Sequence, residues 1–137
     1  MNRRDFLIAT AAVTLAMPLA AQAAARAYTP DLLAAELAAG KTVFVDFKAS
    51  WCSTCAAQGR AIEALKAENP AYEAQLSFLD VDWDQWGDSD IVRDMNIPRR
   101  STLVVLQGAK ELGRIVAQTG KAEIKALMDT ALAAAAA

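Results

Sequence analysis

Val45-Asp46-Phe47-Lys48-Ala49-Ser50-Trp51-Cys52-Ser53-Thr54-Cys55 carries the only two cysteines in a chain of 137 residues. The run Thr42-Val43-Phe44-Val45-Asp46-Phe47 is short, apolar and rich in β-formers, which predicts a central strand. From about Cys52 to Glu68 the pattern turns helical, with Ile62 and Leu65 on the buried side. The cysteines therefore fall where a strand hands over to a helix. At a helix N-terminus, unpaired N–H groups and the helix dipole favour the thiolate of Cys52. Cys55 is close enough in sequence to attack a mixed disulfide formed by Cys52 and release the product. Two cysteines without a histidine cannot complete the usual four-ligand structural zinc site.

The remaining elements extend outward from this junction. Thr29-Pro30-Asp31 starts a helix, with Thr as N-cap and Pro at the first helical position, and Gly40 ends it. Asn69-Pro70 interrupts the cysteine helix. Leu76 to Asp82 reads as a second strand, Trp83 to Ser89 as a polar loop, and Ile91, Val92 and Met95 as one side of a short helix. Thr102 to Leu106 and Glu111 to Val116 are two further strands, joined by a turn at Gln107-Gly108-Ala109-Lys110. A last helix carries Ile124, Leu127, Met128 and Leu132, and the Ala133–Ala137 run is expected to fray. The order α-β-α-β-α-β-β-α predicts an α/β fold: a mixed central sheet flanked by helices, with an antiparallel edge from the final hairpin. The acidic stretch Asp82 to Asp90 places Gly87 where a calcium loop needs glycine, but Trp86 and Arg93 stand where it needs oxygen ligands.

Residues 1–23 read as a bacterial signal peptide. Arg3-Arg4 supply the basic start, Phe6 to Ala21 the apolar run, and Ala21-Gln22-Ala23 the small residues of a cleavage site. Arg3-Arg4-x-Phe6-Leu7 resembles a twin-arginine export signal. Export to the bacterial periplasm, where disulfides persist, is the expectation, with no stable membrane span once the signal is removed. Residues 24–137 then form one domain. They hold 12 basic and 15 acidic residues, a balance that gives no support for nucleic-acid binding.

The order of elements, together with Val45-Asp46-Phe47-x-Ala49-x-Trp51-Cys52-x-x-Cys55, resembles the thioredoxin family over about residues 29–135. That resemblance implies a thioredoxin-like three-layer fold and a redox-active disulfide between Cys52 and Cys55. It makes Cys52 the nucleophile, Cys55 the resolving thiol and Asp46 the buried carboxyl that exchanges protons with Cys55. Trp51 matches the tryptophan beside the dithiol, which shields the thiols and contacts substrate. Ser53-Thr54 departs from the family's usual Gly-Pro, so the redox potential does not carry over.

A second departure lies in the family's cis-proline loop. Ile97-Pro98 invites alignment, but Pro98 stands four residues before Thr102, where the strand begins. Aligning the strand puts Ser101 in the cis-proline position. A cis peptide before serine would cost about 3 kcal/mol, so Arg100–Ser101 is expected to be trans. Ser101 offers a hydroxyl and a backbone N–H, both of which are able to donate to a thiolate. Arg99 and Arg100 precede it, and a guanidinium near Cys52 would favour the thiolate further. By resemblance, backbone near Arg100 pairs with an extended substrate segment.

These readings converge on an exported thiol–disulfide oxidoreductase that reduces protein disulfides or serves a redox partner protein, with no cofactor beyond the cysteine pair. Two other classes remain open. A dithiol freed of its proline shield would let two chains share an iron–sulfur cluster or another metal. The fold would also serve as a redox-inert assembly factor.

Overall fold

The computed structural model describes residues 24–137. The signal segment assigned to residues 1–23 lies outside them.

Eleven elements follow one another: β1 (Arg26–Ala27), α1 (Pro30–Ala38), β2 (Thr42–Lys48), α2 (Ser53–Glu68), α3 (Ala71–Gln75), β3 (Leu76–Asp82), α4 (Trp83–Trp86), α5 (Asp90–Asp94), β4 (Thr102–Gln107), β5 (Lys110–Val116) and α6 (Lys121–Ala136). Thr29 caps α1 as its sequence predicts: its Oγ1 accepts from the Leu32 N–H at 3.1 Å. Gly40, at φ +77°, makes the turn into β2.

The sheet runs in the order β1-β3-β2-β4-β5. β3 is parallel to both β1 and β2, while β4 is antiparallel to β2 and β5. β2 is the central strand, and its side chains alternate between the two faces. Val43, Val45 and Phe47 face one layer, packing with Leu79, Val81, Ile91, Val92 and Val104 beneath α1 and α5. Phe44 faces the other, with Ile62 and Leu65 of α2 and Ile124, Leu127 and Met128 of α6. Asp46 shares Phe44's face and so points toward α2. This is the mixed sheet with flanking helices that the order of elements predicts.

The structure differs from the sequence expectations in four places. β1 is a two-residue edge strand that pairs Arg26 and Ala27 with Leu79 and Asp80, and two residues carry no legible periodicity. After Asn69-Pro70 the chain resumes as α3, started by the Asn69 side chain, which accepts from the Ala71 N–H at 3.1 Å. Trp83–Trp86 is a helical turn rather than loop, because the Asp82 carboxylate caps the Asp84 N–H at 3.0 Å. The alanine tail is helical through Ala136 instead of frayed. Ala131 is fully buried, and Gln107 Nε2 reaches across from β4 to the Ala134 carbonyl at 3.0 Å. Among the described residues, no helix is long and apolar enough to cross a membrane.

Candidate functional site

β2 ends at Lys48, and the chain turns through Ala49, Ser50 and Trp51 before α2 begins. Cys52 is the N-cap of α2, in extended backbone, and its Sγ accepts from the Cys55 N–H at 3.1 Å. The sulfur thus takes the place a serine or aspartate oxygen fills at other helix starts, within reach of an orphan N–H group. Cys52 and Cys55 form a disulfide with their Cα atoms 5.2 Å apart. Both are buried, Cys52 at 4% exposure and Cys55 at 1%, so Cys52 is the more accessible.

Ser101 lies directly against the pair. Its Oγ is 3.1 Å from Cys52 Sγ and 3.1 Å from Cys55 Sγ. One fully buried hydroxyl therefore touches both sulfurs. Pro98, three residues upstream, is exposed. The Arg100–Ser101 peptide is trans, since no described residue has a cis bond. The backbone N–H of Ser101 does not serve the sulfurs, contrary to expectation: it donates to the Phe47 carbonyl at 2.7 Å. Ser101 sits at φ +64°, the left-handed region that a side chain disfavours. Three hydrogen bonds hold it there. Besides its own N–H, the Ser101 carbonyl accepts from the Ala117 N–H at 2.8 Å and from Gln58 Nε2 at 3.0 Å.

Gln58 escaped the sequence reading. It is fully buried on α2 and also donates to the Gln118 carbonyl at 3.0 Å, tying the cysteine helix to the loops on either side of β4–β5. The available signal was its spacing. Cys55, Gln58, Ile62 and Leu65 share the buried stripe of α2, and a polar residue on such a stripe needs a partner.

Trp51, next to Cys52 in the chain, is 59% exposed. Trp83 packs against Ala49, Cys52 and Cys55. The Trp51 indole is held from two sides. Its Nε1–H donates to both Asp84 carboxylate oxygens, at 2.9 and 3.1 Å, and the Arg100 guanidinium stacks on the ring 4.5 Å from its centroid. Arg99 Nε donates to the Arg100 carbonyl at 3.1 Å.

Asp46 is buried on the α2 face of β2, and its Oδ1 has no hydrogen-bond partner. Burial pushes its carboxyl up to about 7; Lys48 opposes the rise and Asp80 adds to it. Lys48 Nζ stands 3.9 Å from Asp46 Oδ2 and 3.9 Å from Asp80 Oδ2. Asp80 is also raised, chiefly by burial. These three groups, with Gly59, Glu63 and Lys66 of α2, line a cavity of about 130 Å³, polar and roomy enough to admit water. No hydrogen bond joins Asp46 to either sulfur.

The arrangement can pass two electrons between its own sulfurs and a disulfide placed against Cys52. It offers a hydroxyl that either thiolate is able to draw on, and a carboxyl able to take or give a proton near neutrality.

The thioredoxin family model matches residues 24–130. Thioredoxin H2-1 of Oryza sativa subsp. japonica is 33% identical over 76 residues, which is 56% of this chain and 51% of the rice protein. A thioredoxin of Mycolicibacterium smegmatis is 29% identical over 96 residues, 70% of this chain and 83% of that one. The crystal structure of Trxlp from Edwardsiella tarda superposes with a TM-score of 0.66 at 26% identity, covering 76% of this chain and 98% of the other. The chain spans about half the length of the rice relatives that it matches. It belongs to the thioredoxin family.

Proposed function

We propose that this chain is a thiol–disulfide oxidoreductase that reduces protein disulfides through Cys52 and Cys55. The observation that carries the reading is the Cys52–Cys55 disulfide at the N-terminus of α2, with the Ser101 hydroxyl against both sulfurs. In the reduced protein, Cys52 Sγ attacks a substrate disulfide. A Cys52–substrate disulfide forms and the first substrate thiolate leaves. Cys55 then gives up its proton and attacks Cys52 Sγ, which releases the second substrate thiolate. Two electrons pass to the substrate, and the chain is left with its internal disulfide. A redox partner must return those electrons. Asp46 accepts the Cys55 proton, since its pKa of about 7 suits transfer in either direction. The Ser101 hydroxyl donates to whichever sulfur carries charge. The signal-like residues 1–23 support export by the twin-arginine route and a periplasmic site of action.

The cysteine roles are tested by limiting alkylation of the reduced protein, followed by disulfide-reduction assays of single variants. Cys52 should label first. Cys52→Ser should abolish turnover, and Cys55→Ser should accumulate a mixed disulfide with substrate. Preferential labelling of Cys55 reverses the roles. Absence of reduction, together with a visible chromophore on reconstitution with iron and sulfide, replaces this reading with the cluster one.

A further inference from the structure

The surface beside the sulfurs carries charge that the exchange chemistry itself does not require. Arg99 and Arg100 directly precede Ser101, whose Oγ touches both sulfurs. Neither arginine forms an ion pair among the described residues, although ten such pairs involve other side chains. Their positive charge is thus unspent at the rim of the dithiol. Arg100 is also fixed in place. Its guanidinium lies on the exposed Trp51 ring, 4.5 Å from the centroid, and its Nε is buried with no hydrogen-bond partner. A guanidinium held over a ring in this way loses little further freedom when it binds, and its planar N–H edge matches a carboxylate. Asp84 is engaged by the Trp51 indole N–H and forms no ion pair with Arg100.

We infer that the preferred substrates are protein disulfides whose cysteine is flanked by acidic side chains, with an Asp or Glu carboxylate received by Arg100 and Arg99. This deepens the reductase reading and rests on it. Trp51 supplies the platform under the guanidinium and an apolar surface for the same substrate segment, and Ser101 keeps the arginines in register with the sulfurs. Arg100 is a specificity residue in this scheme; the bond-making atoms remain those of the cysteines.

The experiment uses the reduced protein with glutathione disulfide and with three disulfide-linked peptides of one sequence, whose residues beside the cysteine are acidic, neutral amide or basic. At low ionic strength the acidic peptide should be reduced roughly 3- to 10-fold faster than the neutral one and the basic peptide more slowly, with the spread shrinking as salt is added. Arg100→Gln should bring the acidic-to-basic rate ratio toward one, and Arg100→Lys should retain part of it. The salt dependence of the unaltered protein tests the idea even if a variant folds poorly. Equal rates for the three peptides overturn the inference and leave the reductase reading standing. Reduction of none of them removes the reductase reading itself. An Arg100-dependent preference confined to glutathione disulfide assigns the site to a small anionic disulfide and overturns the protein one.

Discussion

Asp46 shows how one residue couples stability to chemistry. Its carboxyl titrates near 7 in the folded protein because it is buried, against an ordinary value of 3.8. Below about pH 4 both folded and unfolded chains hold the proton, and the group contributes nothing to stability. Between about pH 4 and pH 7 the unfolded chain has lost the proton while the folded one keeps it, so stability falls as pH rises. Above pH 7 the folded protein carries a buried charge, at a cost on the order of 4 kcal/mol. Asp46→Asn removes that dependence. Its stability relative to the unaltered protein should rise by a few kcal/mol between pH 4 and pH 8, as read by urea unfolding at several pH values. A difference that stays constant with pH would mean Asp46 is solvated and ionised throughout. Asp46 was legible only through the family resemblance, which matches it to a buried aspartate. Lys48, two residues along the same strand, shares its face through the alternation of β2. Asp80 could not be read as a neighbour of Asp46, because that proximity depends on the register that sets β3 beside β2.

Among elements, the strands and long helices were legible because apolar spacing fixes them: β2, α2, β3, β4, β5 and α6 all lie where their periodicity puts them. The short pieces were not, since β1, α3 and α4 are set by pairing and caps that span few residues. The loop before β4 sits between these cases. Register alignment brought Ser101 to the sulfurs, but it gave no hint of the φ of +64° or of the bonds from Ser101 to Phe47, Gln58 and Ala117. That backbone refuses proline, which fixes φ near −65° and has no N–H to give to Phe47. The strain is measurable by comparing two variants that both lack the hydroxyl. Ser101→Gly should be more stable than Ser101→Ala by about 0.5–1 kcal/mol, because glycine enters the left-handed region freely and that gain exceeds its greater unfolded-state entropy. Denaturant titrations of the two oxidised proteins give the difference. An Ala variant as stable as the Gly variant would place the loop at negative φ in solution.

At the scale of the whole molecule, the site is mounted on the most protected part of the sheet. β2 lies between β3 and β4, and Val43, Val45 and Phe47 are completely buried. The cysteines follow its C-terminal end, while Phe47 itself anchors Ser101 in the loop that leads into β4. Exchange of one disulfide bond for two thiols changes groups at the rim of this platform without touching its ladders. The amide hydrogens of Val43 to Phe47 should therefore exchange only through global unfolding, in both the oxidised and the reduced protein. Amides of β1, a two-residue edge, and of α4, a single turn, should exchange orders of magnitude faster. Hydrogen exchange followed residue by residue in the two redox states reads this directly. Reduction should slow exchange at Cys55 N–H, whose acceptor Cys52 Sγ becomes a thiolate, and leave β2 unchanged. If β2 loses protection on reduction, the disulfide is a structural staple of the sheet. If β2 stays protected, the platform is rigid through the redox cycle, and the two sulfurs change partners on a scaffold that does not move with them.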